Sequence, residues 1–214
     1  MKKNFLLLFA ILLLSCSKMD KSKDTQNTAE PLNEATVVEN AKYLNQNQLS
    51  DFVNQVKPIP IDFDHLKEPF GILKFNKVIA YDFDGDEEQY PSVINTKNKS
   101  FNPVILRQKE LNKEQIENLI SLLTDSKTYG EGISACFRPH LGIVFYQDSE
   151  LVYEVDVCLD CNYLNSTTEI PASKAKKTKL EDGSDFDLIG FSKTGKMNII
   201  DFCKPLGLDY ANYK

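Results

Sequence analysis

Four residues in the middle of the chain, Cys136, His140, Cys158 and Cys161, are of the types that can do chemistry together. Three chemistries are open to them. In an oxidising compartment thiols pair, and a link from Cys136 to Cys158 or Cys161 would close a loop of about 20–25 residues, worth about 3 kcal/mol in the chain-entropy picture. A CxxC pair with one more thiol and an imidazole could instead fill a tetrahedral zinc shell. The third possibility is a CxxC that cycles between dithiol and disulfide. Redox pairs of that kind usually open a helix, which lowers the first thiol's pKa. Here Cys158 ends a strand pattern, and Asp156 and Asp160 would raise it. His140 beside Cys158 has the makings of a Cys/His nucleophile pair, but no third residue is identifiable to orient it. The chain has no GxSxG, HExxH or phosphate-binding glycine loop, so we expect no enzyme and no resident cofactor, with zinc as the alternative.

The elements that would gather these side chains are two neighbouring strands. Leu151, Tyr153, Val155, Val157 and Leu159 alternate with Val152, Glu154, Asp156, Cys158 and Asp160, the period of a half-buried strand. Before them, Leu141, Ile143 and Phe145 alternate with His140, Gly142 and Val144. The two apolar rows share a face only if Phe145 lies opposite Tyr153, Ile143 opposite Val155 and Leu141 opposite Val157. A three-residue turn, Asp148-Ser149-Glu150, gives that register. It also places His140 opposite Cys158 at the open end, where Pro139, which has no N–H to donate, stops the pairing.

The N-terminus points to export. Lys2 and Lys3 precede an apolar run from Phe5 to Leu14, too short to span a bilayer, which needs about 20 residues. Leu13-Leu14-Ser15-Cys16 resembles the lipobox of bacterial lipoproteins. That resemblance implies cleavage after Ser15, acylation of Cys16, and a chain held in the cell envelope by a lipid anchor in the outer membrane. Residues 1–15 then form the signal peptide, the polar residues 16–32 a tether, and 33–214 a single domain. The net charge of −6 becomes more negative once Lys2 and Lys3 are removed, so nucleic acid is a poor partner. The membrane, and a protein partner, remain.

Around the hairpin, Asn33 to Val56 has helical spacing that ends at Pro58, and Lys77 to Phe83 reads as a strand followed by the polar turn Asp84-Gly85-Asp86. The acids Asp82, Asp84, Asp86, Glu87 and Glu88 depart from a calcium loop, with Glu87 where glycine is needed and Val93 at the twelfth position. Asn112 to Thr124 is the clearest helix, with Asn112 and Gln115 spaced as a capping box. Lys174, Lys176, Lys177 and Lys179 form a basic patch in an exposed loop. Ser192 caps a last helix through Lys204, with Met197, Ile200 and Cys203 on one side, where Cys203 reads as a core cysteine. These elements amount to an α+β domain. Its mostly antiparallel sheet centres on the 134–162 hairpin, and helices at about 112–125 and 192–204 pack on it.

CFRPHLGIVFY (Cys136 to Tyr146), VCLDCNYL (Val157 to Leu164) and GFSKTGKMNIIDFCKPLGL (Gly190 to Leu208) resemble a family of cell-envelope lipoproteins and small secreted proteins of Bacteroidota. The resemblance covers roughly the C-terminal half. It implies a place in the envelope and carries no activity with it. The expected function is therefore that of an exported, membrane-anchored lipoprotein, structural or partner-binding, with a zinc or thiol-redox site at Cys136, Cys158 and Cys161 as the alternative.

Overall fold

The computed structural model describes residues 42–213; the stretches read from the sequence as signal peptide, lipidation site and tether lie outside them. In chain order the elements are α1 (Gln46–Gln55), β1 (Lys77–Phe83), β2 (Ile105–Glu110), α2 (Lys113–Thr124), β3 (Tyr129–Glu131), β4 (Leu141–Gln147) and β5 (Glu150–Cys158). They continue with β6 (Tyr163–Ser166), β7 (Lys177–Lys179), β8 (Asp185–Asp187), β9 (Gly190–Phe191) and α3 (Lys193–Cys203). Five strands make one antiparallel sheet in the order β2-β1-β4-β5-β6. β3 with β9, and β7 with β8, form two-stranded ribbons. This is an α+β fold.

The central pair has the register that the apolar rows require: Leu141 faces Val157, Ile143 faces Val155, and Phe145 faces Tyr153. The turn is built differently. Gln147 already pairs with Glu150, so the turn is only Asp148-Ser149, with Asp148 at φ 56°. A bulge restores the alignment: Tyr146 faces Leu151 while Phe145 faces Tyr153, and Val152 is the extra residue.

The larger difference is that the sheet is buried on both faces. On one side Val78, Ala80, Ile143, Phe145, Tyr153 and Val155 are covered by α2, through Ile116, Leu119, Ile120 and Leu123, and by Ile199 and Cys203 of α3. The other side was expected to face water. There Ile79, Tyr81, Phe83, Val144 and Tyr146 lie beneath Leu49 and Val53 of α1 and beneath Val93, Ile94 and Val104 of the β1–β2 connection. Covering this second face adds apolar burial at about 25 cal/mol per Å², from a cluster smaller than the first.

The helix starts follow the cap residues. Asn112 and Gln115 form a reciprocal capping box on α2, and Asn45 with Gln48 does the same for α1. The Ser192 side chain accepts from Gly195 N to start α3. The inner face of α3 is Gly195, Ile199 and Cys203, while Met197 is exposed. Gly195 sets that rotation: a Cβ there would lie 2.1 Å from Thr128 O, so the helix meets residues 126–128 along its glycine.

The lysine patch is also not free. Lys174 pairs with Glu169, Lys177 with Asp187 and Lys179 with Asp185, while Lys176 Nζ donates to Tyr129 O at 2.7 Å. The patch is neutralised where it stands.

Gly142 allows the second layer to close onto the sheet. A Cβ at Gly142 would sit 2.0 Å from Val93 Cγ2 and 3.1 Å from Asp156 Oδ1. We expect Gly142→Ala to destabilise the fold by about 1–3 kcal/mol in urea denaturation, as overpacking does; a loss below about 0.5 kcal/mol would contradict so tight an approach.

Candidate functional site

The sulfur cluster grows out of the β5–β6 turn. Cys158 ends β5 and pairs with Tyr163 at the start of β6, so residues 159–162 make the turn, closed by Asn162 at φ 68°. That turn alone brings the Cα atoms of Cys158 and Cys161 to 5.2 Å, and the two form a disulfide. Both are buried. Cys136 is a half-buried free thiol and Cys203 a buried one, so neither of the expected Cys136 disulfides is made. So short a loop contributes about 2 kcal/mol by chain entropy, less than the link from Cys136 would have given.

Cys136 nevertheless packs against the cluster of Phe137, Cys158 and Cys161. The chain on either side of it is tied to Cys161. Ser134 N donates to Cys161 O at 2.9 Å, and Arg138 N donates to Cys161 Sγ at 3.2 Å. Cys161 N in turn donates to Cys158 Sγ at 3.1 Å.

His140 does not join the sulfurs. Its Nδ1 lies 3.1 Å from Phe83 O, its backbone N donates to Val157 O, and its ring meets Tyr210 edge-on at 6.1 Å. Tyr210 Oη donates to Val157 O at 3.0 Å and accepts from Leu159 N at 3.1 Å. The two rings brace the end of the sheet. The four-ligand zinc shell is therefore not assembled, because two of its thiols hold each other and the imidazole serves β1. Among the described residues no group of three His, Cys, Asp or Glu side chains is placed to hold a metal ion.

The acidic residues after β1 also diverge. Asp82 is buried and accepts from Asp209 N at 3.0 and 3.1 Å, with Arg107 Nε 3.3 Å away. Burial pushes its carboxyl up to about 6, partly offset by the Asp209 N–H and by Arg107. Asp84 meets Lys42 and Tyr43, and Asp86 caps its own turn through Glu88 N and Gln89 N.

The acids that the strand pattern placed toward solvent are buried instead. Glu154 and Asp156 stand two apart on one face of β5, 6% and 4% exposed. Glu154 Oε1 accepts from Ile94 N at 2.9 Å, and Asp156 Oδ1 accepts from Val93 N at 3.2 Å. The two carboxyls stand close enough for each to affect the other's ionisation. Burial pushes the Glu154 carboxyl up to about 7 against the pull of the Ile94 and Val93 N–H groups. Asp156 is raised well above its usual range, first by burial and then by Glu154. Burial thus favours the protonated form of both carboxyls. The alternation that read as a wet face could not reveal this, because the partners are backbone amides of a loop.

Above this face α1, the 94–101 turn and the β4–β5 turn enclose an open cleft of about 550 Å³. Val53, Ile94, Phe101, Tyr146 and Leu151 give it apolar walls, with Lys99 among its polar lining. The Gln46 amide holds one rim in place by bonding both backbone groups of Phe101. Comparisons with protein-family models, with curated proteins and with solved structures give no match.

A carboxyl whose pKa is raised on folding binds its proton more tightly in the folded state, so stability falls as pH rises from the unfolded value through the folded one. For Glu154 that window runs from about 4.5 to about 7. We expect Glu154→Gln, which keeps the oxygen that accepts from Ile94 N, to gain on the wild type as pH rises across that window. The gain should reach the order of 2–3 kcal/mol at pH 8, with little difference at pH 4.5. Parallel denaturation curves at several pH values test this, and a difference that does not change with pH would refute it.

Proposed function

We propose that the chain is an exported, lipid-anchored protein of the cell envelope, with no catalysis of its own, that binds a protein partner. The observation that carries this reading is the buried disulfide in the β5–β6 turn, a pairing that persists in oxidising compartments and is uncommon in the reducing cytosol. The lipobox-like Leu13-Leu14-Ser15-Cys16 supports the same location from the sequence. Apart from the free thiol of Cys136, the side chains that could do chemistry hold the fold: Cys158 with Cys161, His140 with Phe83 O, and Glu154 and Asp156 with the amides of Ile94 and Val93.

Zinc is the second reading, and it would need the disulfide reduced so that Cys136, Cys158 and Cys161 could all serve as thiolates. Alkylation before and after reduction, with elemental analysis, separates the two. Two blocked cysteines without metal support the first, whereas stoichiometric zinc with every thiol alkylatable after unfolding overturns it.

Anchoring is tested on the full chain expressed in a Gram-negative host. The wild type should partition into detergent and begin at an acylated Cys16, and Cys16→Ala should leave the membrane fraction. A wild type that keeps Met1 and stays in the aqueous phase would contradict the lipid anchor.

A further inference from the structure

Cys136 forms no disulfide, yet its position is tightly defined. Residues 134 and 138 both donate backbone N–H groups to Cys161, one to its carbonyl and one to its sulfur. The segment between them arches over that residue, with Cys136 at its midpoint and packed against the disulfide cluster. Cys136 is half-buried, so it combines contact with the disulfide and access to solvent. Phe137 and Tyr163, with ring centroids 4.9 Å apart, wall the cluster.

We propose that Cys136, Cys158 and Cys161 form a disulfide-exchange site in which the staple moves between the β5–β6 turn and the segment around Cys136. In the forward step Cys136 loses its proton to water, and its thiolate attacks Cys161 Sγ. The Cys136–Cys161 bond forms as the Cys158–Cys161 bond breaks, and the departing Cys158 thiolate takes up a proton. The count of disulfides and thiols is unchanged, so no oxidant or reductant is consumed. Thiolate attack on a disulfide through this in-line displacement is the general route of exchange, and it is favoured where the leaving thiolate is stabilised. Cys161 N–H, 3.1 Å from Cys158 Sγ, supplies that stabilisation, because a backbone donor bonds a thiolate more strongly than it bonds a disulfide sulfur. Arg138 N–H, 3.2 Å from Cys161 Sγ, holds the central sulfur, which is the one attacked in both directions, beside the segment that carries Cys136. Cys203 has no part, because it is buried in the α2 and α3 core, a cluster separate from that of the three sulfurs.

The exchange changes what is tied down. With Cys158–Cys161 closed, the crosslink is local to one turn, and the 132–139 segment is held by hydrogen bonds and side-chain packing without a covalent tie. With Cys136–Cys161 closed, that segment is bonded covalently to the sheet and closes the larger loop, which restrains the unfolded chain more.

The test uses the full-length chain isolated without reductant, held folded at pH 6 or pH 8.5, quenched with acid, and then unfolded and alkylated at pH 6 before peptide mapping. At pH 6 the label should fall on Cys136 and Cys203. At pH 8.5 part of it should move from Cys136 to Cys158, with a Cys136–Cys161 linked peptide in matching amount and Cys203 unchanged. Label that stays on Cys136 and Cys203 at both pH values overturns the proposal. Cys158→Ala gives an independent reading: its remaining pair should close as Cys136–Cys161 under mild oxidation, and two free thiols there in a protein that keeps its circular dichroism also overturn it. If this variant does not fold, the wild-type label decides alone. Every cysteine alkylatable in freshly isolated wild type would overturn the exchange without touching the lipid anchor, which is read separately from the mass of the mature N-terminus.

Discussion

Two carboxyls on β5 are carried into the middle of a sheet that is covered on both sides, and the placement of the second layer depends on how they are satisfied there. An unpaired buried carboxylate costs several kcal/mol, so Glu154 and Asp156 are tolerated because burial favours their protonated forms and because they accept the amides of Ile94 and Val93. Those two amides belong to a connection with little regular structure of its own, only a single bridge from Ile94 to Phe101. Without the carboxyls they would be buried donors lacking partners, at about 1–3 kcal/mol each. The clamp therefore answers two needs with one set of bonds. Gly142 leaves the space for it.

The rest of the molecule follows from a sheet held rigid in this way. α1 and the 94–101 turn lie on the clamped face and define the cleft, while α2 and α3 lie on the opposite face and bury Cys203. The sulfur turn sits at the end of β5, braced by Tyr210, whose hydroxyl bonds Val157 O and Leu159 N. Arg107 and the buried Asp82 hold residues 207–209 and so keep Tyr210 in place. The arched segment that carries Cys136 thus lies against a fixed support, which makes its approach to the disulfide a property of the fold.

What could be read in the sequence was whatever depends on neighbours along the chain. Asn112 with Gln115 and Ser192 before Gly195 announced two helix starts, and the apolar rows of β4 and β5 fixed their alignment, because each signal is local or has period two. What could not be read depends on residues far away in sequence. Glu154 and Asp156 look like a wet face until Val93 and Ile94 are known to cover them. The run Leu141 to Tyr146, with both parities apolar apart from Gly142, is the one hint of two-sided burial. The inner face of α3 was misjudged because a glycine contact, not the most apolar stripe, sets its rotation. In the cysteine cluster the sequence identified three sulfurs that do gather but not the pairing, because the tightness of the 159–162 turn decides it.

The clamp is tested most directly by amide hydrogen exchange at pH 6, below the raised Glu154 value of about 7. If Glu154 and Asp156 fasten the second layer to the sheet, the amides of Val93 and Ile94 should open only with the global unfolding that releases the β4–β5 amides. Exchange of Val93 and Ile94 at the rate of unprotected amides, while β4 and β5 remain protected, would contradict the account.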